Sequence, residues 1–368
     1  IGGIPEAKVS ARAADFARFG IRPDTLFEPG RTGYLAFRTG NAEPQLGIFG
    51  KPAIKAILEA DPALRQTLTA HHDALEAWWG VARDDFAGLR DGKKMPDVRH
   101  ELLTTLKGKL IPLNVLDEFK SAGVFVNWWQ QIRYDLKTII STGWHHTLIP
   151  DDYLIAAFFQ TETDEIEALE ARIGEAQGEL AEAVETAQEV AAYEPEEDES
   201  VTAAVIKKAL KELIDDLGAP SLGAPITSSA RKELAKLKVQ EEAITAIEKR
   251  VKESKTALKT KTDEMELKLQ LKRLGGDEFK AESRELIRQV DAQLATLDSA
   301  NKDDKKKITA LSKDKTALQA RLAKTDSILA AIGGPLTDEE ARGLILKKLY
   351  YLAAGELNRY LNAEKRGL

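Results

Sequence analysis

From Leu237 onward, apolar side chains return at intervals of seven: Leu237, Ile244, Val251, Leu258 and Met265, with Ile247 and Leu269 partly filling a second position. A later run alternates steps of four and three through Val290, Leu294, Leu297, Asn301, Asp304, Ile308, Leu311, Lys315, Leu318, Leu322, Thr325 and Leu329, and eight of its twelve positions are apolar. Such spacing keeps one narrow stripe on one side of a long helix, so it demands a facing helix. Gly275 and Gly276, in "LGGDE", permit a tight reversal between the two runs. The pattern therefore predicts one antiparallel coiled-coil hairpin over 229–331, with arms of about 45 residues reaching roughly 65 Å at 1.5 Å per residue. Asn301 and Asp304 interrupt the seam beside the charge-rich "NKDDKKK", and that layer reads as wet.

The segment before the hairpin is acidic. Residues 161–217 carry 4 basic and 18 acidic side chains, whereas 229–273 carry 13 and 8. A net charge of -14 repels a phosphate backbone, and the basic excess suits either DNA or the acidic neighbour, of which pairing or plain solvation is the simpler reading. Ile166, Leu169, Ile173, Leu180, Val184 and Ala187 lie on one helical stripe that ends by "YEPEEDES", where Pro195 and the acids of 194–199 favour a solvated loop. "VTAAVIKKALKELIDDLG" reads as a shorter helix stopped at Gly218, and "APSLGAPITSS" as a linker.

All five Trp and all five His precede residue 147, so the chemistry of the chain changes near Phe159. A compact aromatic core before that point and aliphatic seams after it follow from this distribution. In the first part "PEAKVSARAADFARFG" reads as a helix closed by Gly20, "TGYLAFRTG" as a short strand, and "GKPAIKAILEA", "PALRQTLTAHHDALEAWWGVARDDFAGL", "RHELLTTLKGKLIPLNVLDEF" and "VFVNWWQQIRYDLKTIIST" as helices. At the other end Thr337 and Glu340 form a capping box for a last helix whose Leu346, Leu349, Tyr350, Ala353, Leu357, Tyr360 and Leu361 share a face. That face needs a partner, either the chain's own first domain or another protein. The expected class is mainly α, with one or two short strands. The expected divisions are an α-rich domain over 1–160, acidic helices and linker over 161–228, the hairpin over 229–331 and a terminal amphipathic helix over 332–368.

Several function classes lack their signatures. Cysteine is absent, which removes disulfides, thiolate metal sites and cysteine nucleophiles. The chain holds no G-x-x-x-x-G-K loop, G-x-G-x-x-G, G-x-S-x-G or H-E-x-x-H. No run approaches the roughly 18 to 20 apolar residues of a membrane span, and no leader pattern opens the sequence, so a soluble, cytoplasmic protein is expected. The opening "IGGIPEAK" suggests a fragment of a larger polypeptide.

The best catalytic candidates are His145, His146, Asp151 and Asp152, but adjacent histidines should point apart, and either aspartate suits a helix cap after Pro150. No catalytic, cofactor or metal residue is assigned. Trp128 and Trp129 with Arg133 and Lys137, two cations one turn apart, invite a nucleic-acid reading. Paired tryptophans favour the core instead.

The run "IRPDTLFEPGRTGYLAF" from Ile21 to Phe37, then "HHDALEAWW", then "WWQQIRYDL" leading into "DDYLI" (Asp151 to Ile155), resemble in that order the C-terminal region of the modification subunit of type I restriction-modification systems. The closing "LTDEEARGLILKKLYYLAAGELNRYLNAEKRGL" is similar to the closing helix of that family. The resemblance implies an adenine-N6 DNA methyltransferase that uses S-adenosylmethionine and works with a specificity subunit and a restriction subunit on DNA. The family's catalytic motif is Asn or Asp, Pro-Pro and an aromatic residue. This chain has no Pro-Pro and no glycine-rich cofactor motif, so neither activity transfers to any residue present. What the resemblance implies here is an assembly part that docks on the specificity subunit and helps enclose DNA, with Leu346, Leu349, Tyr350, Leu357, Tyr360 and Leu361 as the interface and Arg133 and Lys137 as nucleic-acid contacts. Two other readings stand beside it: a coiled-coil spacer or dimer zipper of another system, and a hydrolase with its site in the cluster from Trp128 to Asp152.

Overall fold

The computed structural model describes residues 4–38, 51–89, 92–195, 200–218, 227–298 and 301–368. The chain divides into two compact units, one formed by Ile1–Pro150 with Thr337–Leu368 and the other by Asp151–Leu336.

The first unit opens with α1 (Glu6–Ala11), α2 (Ala13–Arg18) and α3 (Pro23–Leu26) around a small antiparallel sheet. Its strands β1 (Ile4–Pro5), β2 (Phe27–Pro29) and β3 (Tyr34–Phe37) lie in the order β1-β3-β2, with Phe27 opposite Phe37 and their rings 4.7 Å apart. Gly20, at φ 69°, ends the helical entry as its position suggested. Four helices follow: α4 (Lys51–Ala60), α5 (Pro62–Gly88), α6 (Met95–Leu110) and α7 (Glu118–Thr142). The α5 start is fixed by Asp61, whose Oδ1 accepts from the backbone N–H of Ala63 and Leu64 at 2.9 and 3.1 Å, while Pro62 needs no donor there. Asp117 does the same for α7, accepting from Lys120 N–H at 2.8 Å, and this cap starts the helix earlier than the apolar pattern alone suggests. Val98, Leu102, Leu106 and Leu110 of α6, and Val124, Phe125, Trp128, Ile132, Leu136 and Ile139 of α7, form continuous buried stripes.

The second unit contains α8 (Asp151–Phe158), α9 (Gln160–Val190), α10 (Ala203–Gly218), α11 (Ser228–Ala295) and α12 (Lys302–Ala331). The mainly α class holds, and the chain reverses at Gly275 as expected, but the second arm of the hairpin is itself folded back. Gly275, at φ 76° and ψ 177°, breaks α11 into two helices, and the fold-back there brings Arg321 of α12 within 3.6 Å of Glu266. A second reversal follows between Ala295 and Lys302, where Asp304 accepts from Asp298 N–H at 3.2 Å. Asn301 and Asp304 are therefore parts of the reversal and its flank, which accounts for the interrupted seam.

The helical pairing follows from this. The α12 helix runs back along the last part of α11, with Lys280 on Asp326 and Lys315 on Asp291 at 2.5 and 2.6 Å. The first and longer part of α11 pairs antiparallel with α9 instead. Lys268 meets Glu162 at 2.6 Å, Lys261 meets Glu165 at 2.7 Å, and Arg250 meets Glu179. The α10 helix completes a three-helix section in which Val184, Ala187, Ile206, Leu210, Leu237 and Ile244 are buried together. The linker expected over 219–229 and the acidic loop expected over 194–199 fall largely outside the described residues.

The last helix, α13 (Asp338–Lys365), returns to the first unit. Its capping box is formed as the sequence predicts, Thr337 N–H donating to Glu340 Oε2 at 2.8 Å and Glu340 N–H to Thr337 Oγ1 at 3.2 Å.

Candidate functional site

The tryptophans that stood out in the sequence are the centre of the first unit. Trp78, Trp79, Phe86, Phe125, Trp128, Trp129 and Tyr350 form one ring cluster, with Trp128 5.6 Å from Trp78, 6.2 Å from Trp79, 6.1 Å from Phe86 and 5.5 Å from Phe125. Edge-to-face geometry dominates around Trp128, as the aromatic quadrupole favours. Its side chain is fully buried, so its N–H needs a partner, and it donates to the backbone carbonyl of Leu349 at 2.8 Å. Trp78 Nε1 donates to Thr105 Oγ1 at 3.0 Å. No indole of this cluster is free to stack on a base.

That Trp128 bond also identifies what covers α13. Leu349, Ala353, Leu357 and Leu361 are buried inside the first unit against α7 and α5, and Leu346, Tyr350 and Tyr360 are half-buried. The face proposed as a docking surface is thus filled by the chain's own helices, which corrects the assignment of Leu349, Leu357 and Leu361 as residues awaiting another protein. The fit is close at Gly123 of α7, where a Cβ would lie 2.8 Å from Tyr360 Cζ. Asn127 Nδ2 donates to Tyr360 Oη at 3.0 Å, and Lys348 Nζ donates to Asp135 at 2.7 Å and to the Leu148 carbonyl at 2.9 Å.

At the end of α13, Glu364 receives both Arg18 and Lys120. Burial pushes this carboxyl up, but hydrogen bonds from Lys120 and Arg18 outweigh burial and hold it below the usual carboxylate range. His71 of α5 is fully buried, its Nδ1 2.7 Å from the Thr67 carbonyl and its Nε2 without a hydrogen-bond partner among the described residues. Burial there lowers its pKa, so the neutral imidazole is favoured.

The remaining catalytic candidates separate. His145 and His146 do not point apart: their ring centroids are 4.2 Å from each other, because His145 sits in extended backbone at the start of a 3-10 turn. Nδ1 of His145 engages Thr147 Oγ1 at 2.9 Å. Asp151 instead pairs with Arg273 of α11, and both aspartates lie in the first turn of α8, where negative charge suits the helix dipole. Among the described residues no group of three or more His, Cys, Asp or Glu side chains could hold a metal ion, and no described helix is long and apolar enough to cross a membrane.

Arg133 and Lys137 do come together, around a residue that the sequence reading passed over. Tyr134 is 61% exposed, with the Arg133 guanidinium 4.6 Å and the Lys137 ammonium 5.4 Å from its ring centroid. Arg133 also donates to Tyr134 Oη at 2.8 Å. The signal was present as R-Y-x-x-K on a helix whose other face is core. Arg133, Tyr134 and Lys137 thus form a small basic and aromatic patch on α7. No protein-family model, curated protein or solved structure matches this chain.

Proposed function

We propose that this chain is a structural and assembly part of the modification subunit of a type I restriction-modification system. The observation that carries the reading is the ordered resemblance of "IRPDTLFEPGRTGYLAF", "HHDALEAWW", "WWQQIRYDL" with "DDYLI", and the closing helix. It gains physical support from where these stretches go. Apart from "DDYLI" they all lie in the first unit, and three of them place rings in one cluster through Trp78 and Trp79, Trp128 and Trp129, and Tyr350. Residues shared for the sake of a core are expected to meet in space in this way.

In this reading the first unit would pack beside a methyltransferase core that binds S-adenosylmethionine and acts on adenine N6. The coiled unit would extend the subunit toward the specificity subunit and DNA. Arg133, Tyr134 and Lys137 would add a local phosphate or base contact, while α13 serves the first unit itself. Sedimentation of the purified chain with a type I specificity subunit tests this: co-migration at micromolar concentration is expected. Absence of association, or S-adenosylmethionine bound by this chain alone, would overturn it.

A further inference from the structure

The α10 helix occupies only part of a longer groove. It lies antiparallel to α11, since Lys207 near its start reaches Glu248 at 2.7 Å, while a Cβ on Gly218 at its end would lie 3.9 Å from Leu234 Cδ1. Leu234 and Glu248 are two heptads apart, and the same stripe continues one heptad further to Lys255, flanked by Lys252 and Lys259. Because α10 begins only four residues before Lys207, it reaches about 6 Å beyond Glu248, level with Lys252. Beside and beyond the start of α10 lies an open groove of about 500 Å³, lined by Leu180 of α9 and by Glu248, Val251, Lys252, Lys255, Thr256 and Lys259 of α11.

Two properties of the groove limit what can fill it. Its floor, Leu180 and Val251 with the lysine stems, is apolar and continues the surface on which α10 packs. Its rim is cationic: Lys252, Lys255 and Lys259 form no ion pair among the described residues, unlike Lys207, Arg250, Lys261 and Lys268 around them. A nucleic-acid backbone would meet these lysines but also the exposed Glu175, Glu179 and Glu182 of α9. An apolar stripe with acids on one flank satisfies both floor and rim.

We propose that this groove docks an acidic amphipathic helix of a partner protein, laid as a third helix in continuation of α10. The site is independent of the function proposed above and uses none of its residues. The test uses the full chain and a labelled, stapled helical peptide with Leu on one face and Glu along one flank, followed by fluorescence anisotropy. Saturable binding is expected, weakened by about tenfold or more in K252E/K255E/K259E. A Lys-flanked version of the peptide should bind that variant better than it binds the original chain. Since the three lysines are exposed, circular dichroism should show unchanged helicity. The proposal is overturned if the peptide does not bind, if a scrambled peptide binds equally well, or if the triple variant binds as the original does. It is also overturned if duplex DNA displaces the peptide, or if the chain forms dimers that the triple variant abolishes, since the groove would then belong to nucleic acid or to a second copy.

Discussion

In α7, eight of 25 residues are buried, and they include two tryptophans and a phenylalanine; in α11, nine of 68 are buried, with one phenylalanine as the only aromatic. Both regions are helical, but they are stabilised differently. Around Trp128 each ring touches several others, so removing one leaves a void that its neighbours cannot fill. Along the first part of α11 a single stripe faces α9 and α10, and the rest of the surface is water and ion pairs. Dense contacts favour one cooperative unit, whereas a stripe favours stability that varies along its length.

Substitutions can break or sharpen that contrast. Trp128→Ala should have the largest effect, about 3 to 5 kcal/mol in denaturant unfolding of the first unit, because it opens a cavity and removes the donor to Leu349. A loss under about 1 kcal/mol would mean that the ring cluster is not the centre of that unit. Gly123→Ala comes next, at about 1 to 3 kcal/mol, since its methyl must displace the Tyr360 ring. The pH response is smaller. Glu364 has its pKa lowered in the folded state, so its contribution is present above the ordinary glutamate value of 4.5 and is lost as pH falls through the lower folded value. The melting temperature should therefore fall as the pH drops from 4.5 toward the lower folded value, and Glu364→Gln should flatten the slope. An unchanged slope would show that Arg18 and Lys120 do not act through this carboxylate. Lys261→Ala should have the smallest effect, one that vanishes at high salt, because its pair with Glu165 is nearly half exposed on both sides.

Much of this organisation is legible in the sequence, for identifiable reasons. Spacing of apolar residues predicts the α7 and α9 stripes, and Thr337 with Glu340 predicts the start of α13. The acidic and basic segments pair along α9 and α11, as their opposite charges suggest. The reversal at Gly275 is legible because two glycines interrupt the heptad run, whereas the second reversal, between Ala295 and Lys302, is hidden because the apolar seam stays in step across it. The partner of α13 could not be read because an amphipathic face shows that it needs cover without showing whose. Tyr134 was missed because its exposure depends on the angle at which α7 meets its neighbours. The third strand, β1, is only two residues long and carries no periodic signal.

The claim on which the rest depends is that α13 belongs to the aromatic core as fully as α7 does. Native-state hydrogen exchange resolved by segment measures this directly. The amides of Leu349, Ala353 and Leu357 should exchange with the same opening free energy as those of Trp128, Trp129 and Ile132, and Trp128→Ala should lower both sets together. Exchange of α13 that is faster than that of α7 and indifferent to Trp128→Ala would contradict the account and return the closing helix to the role of a free docking surface.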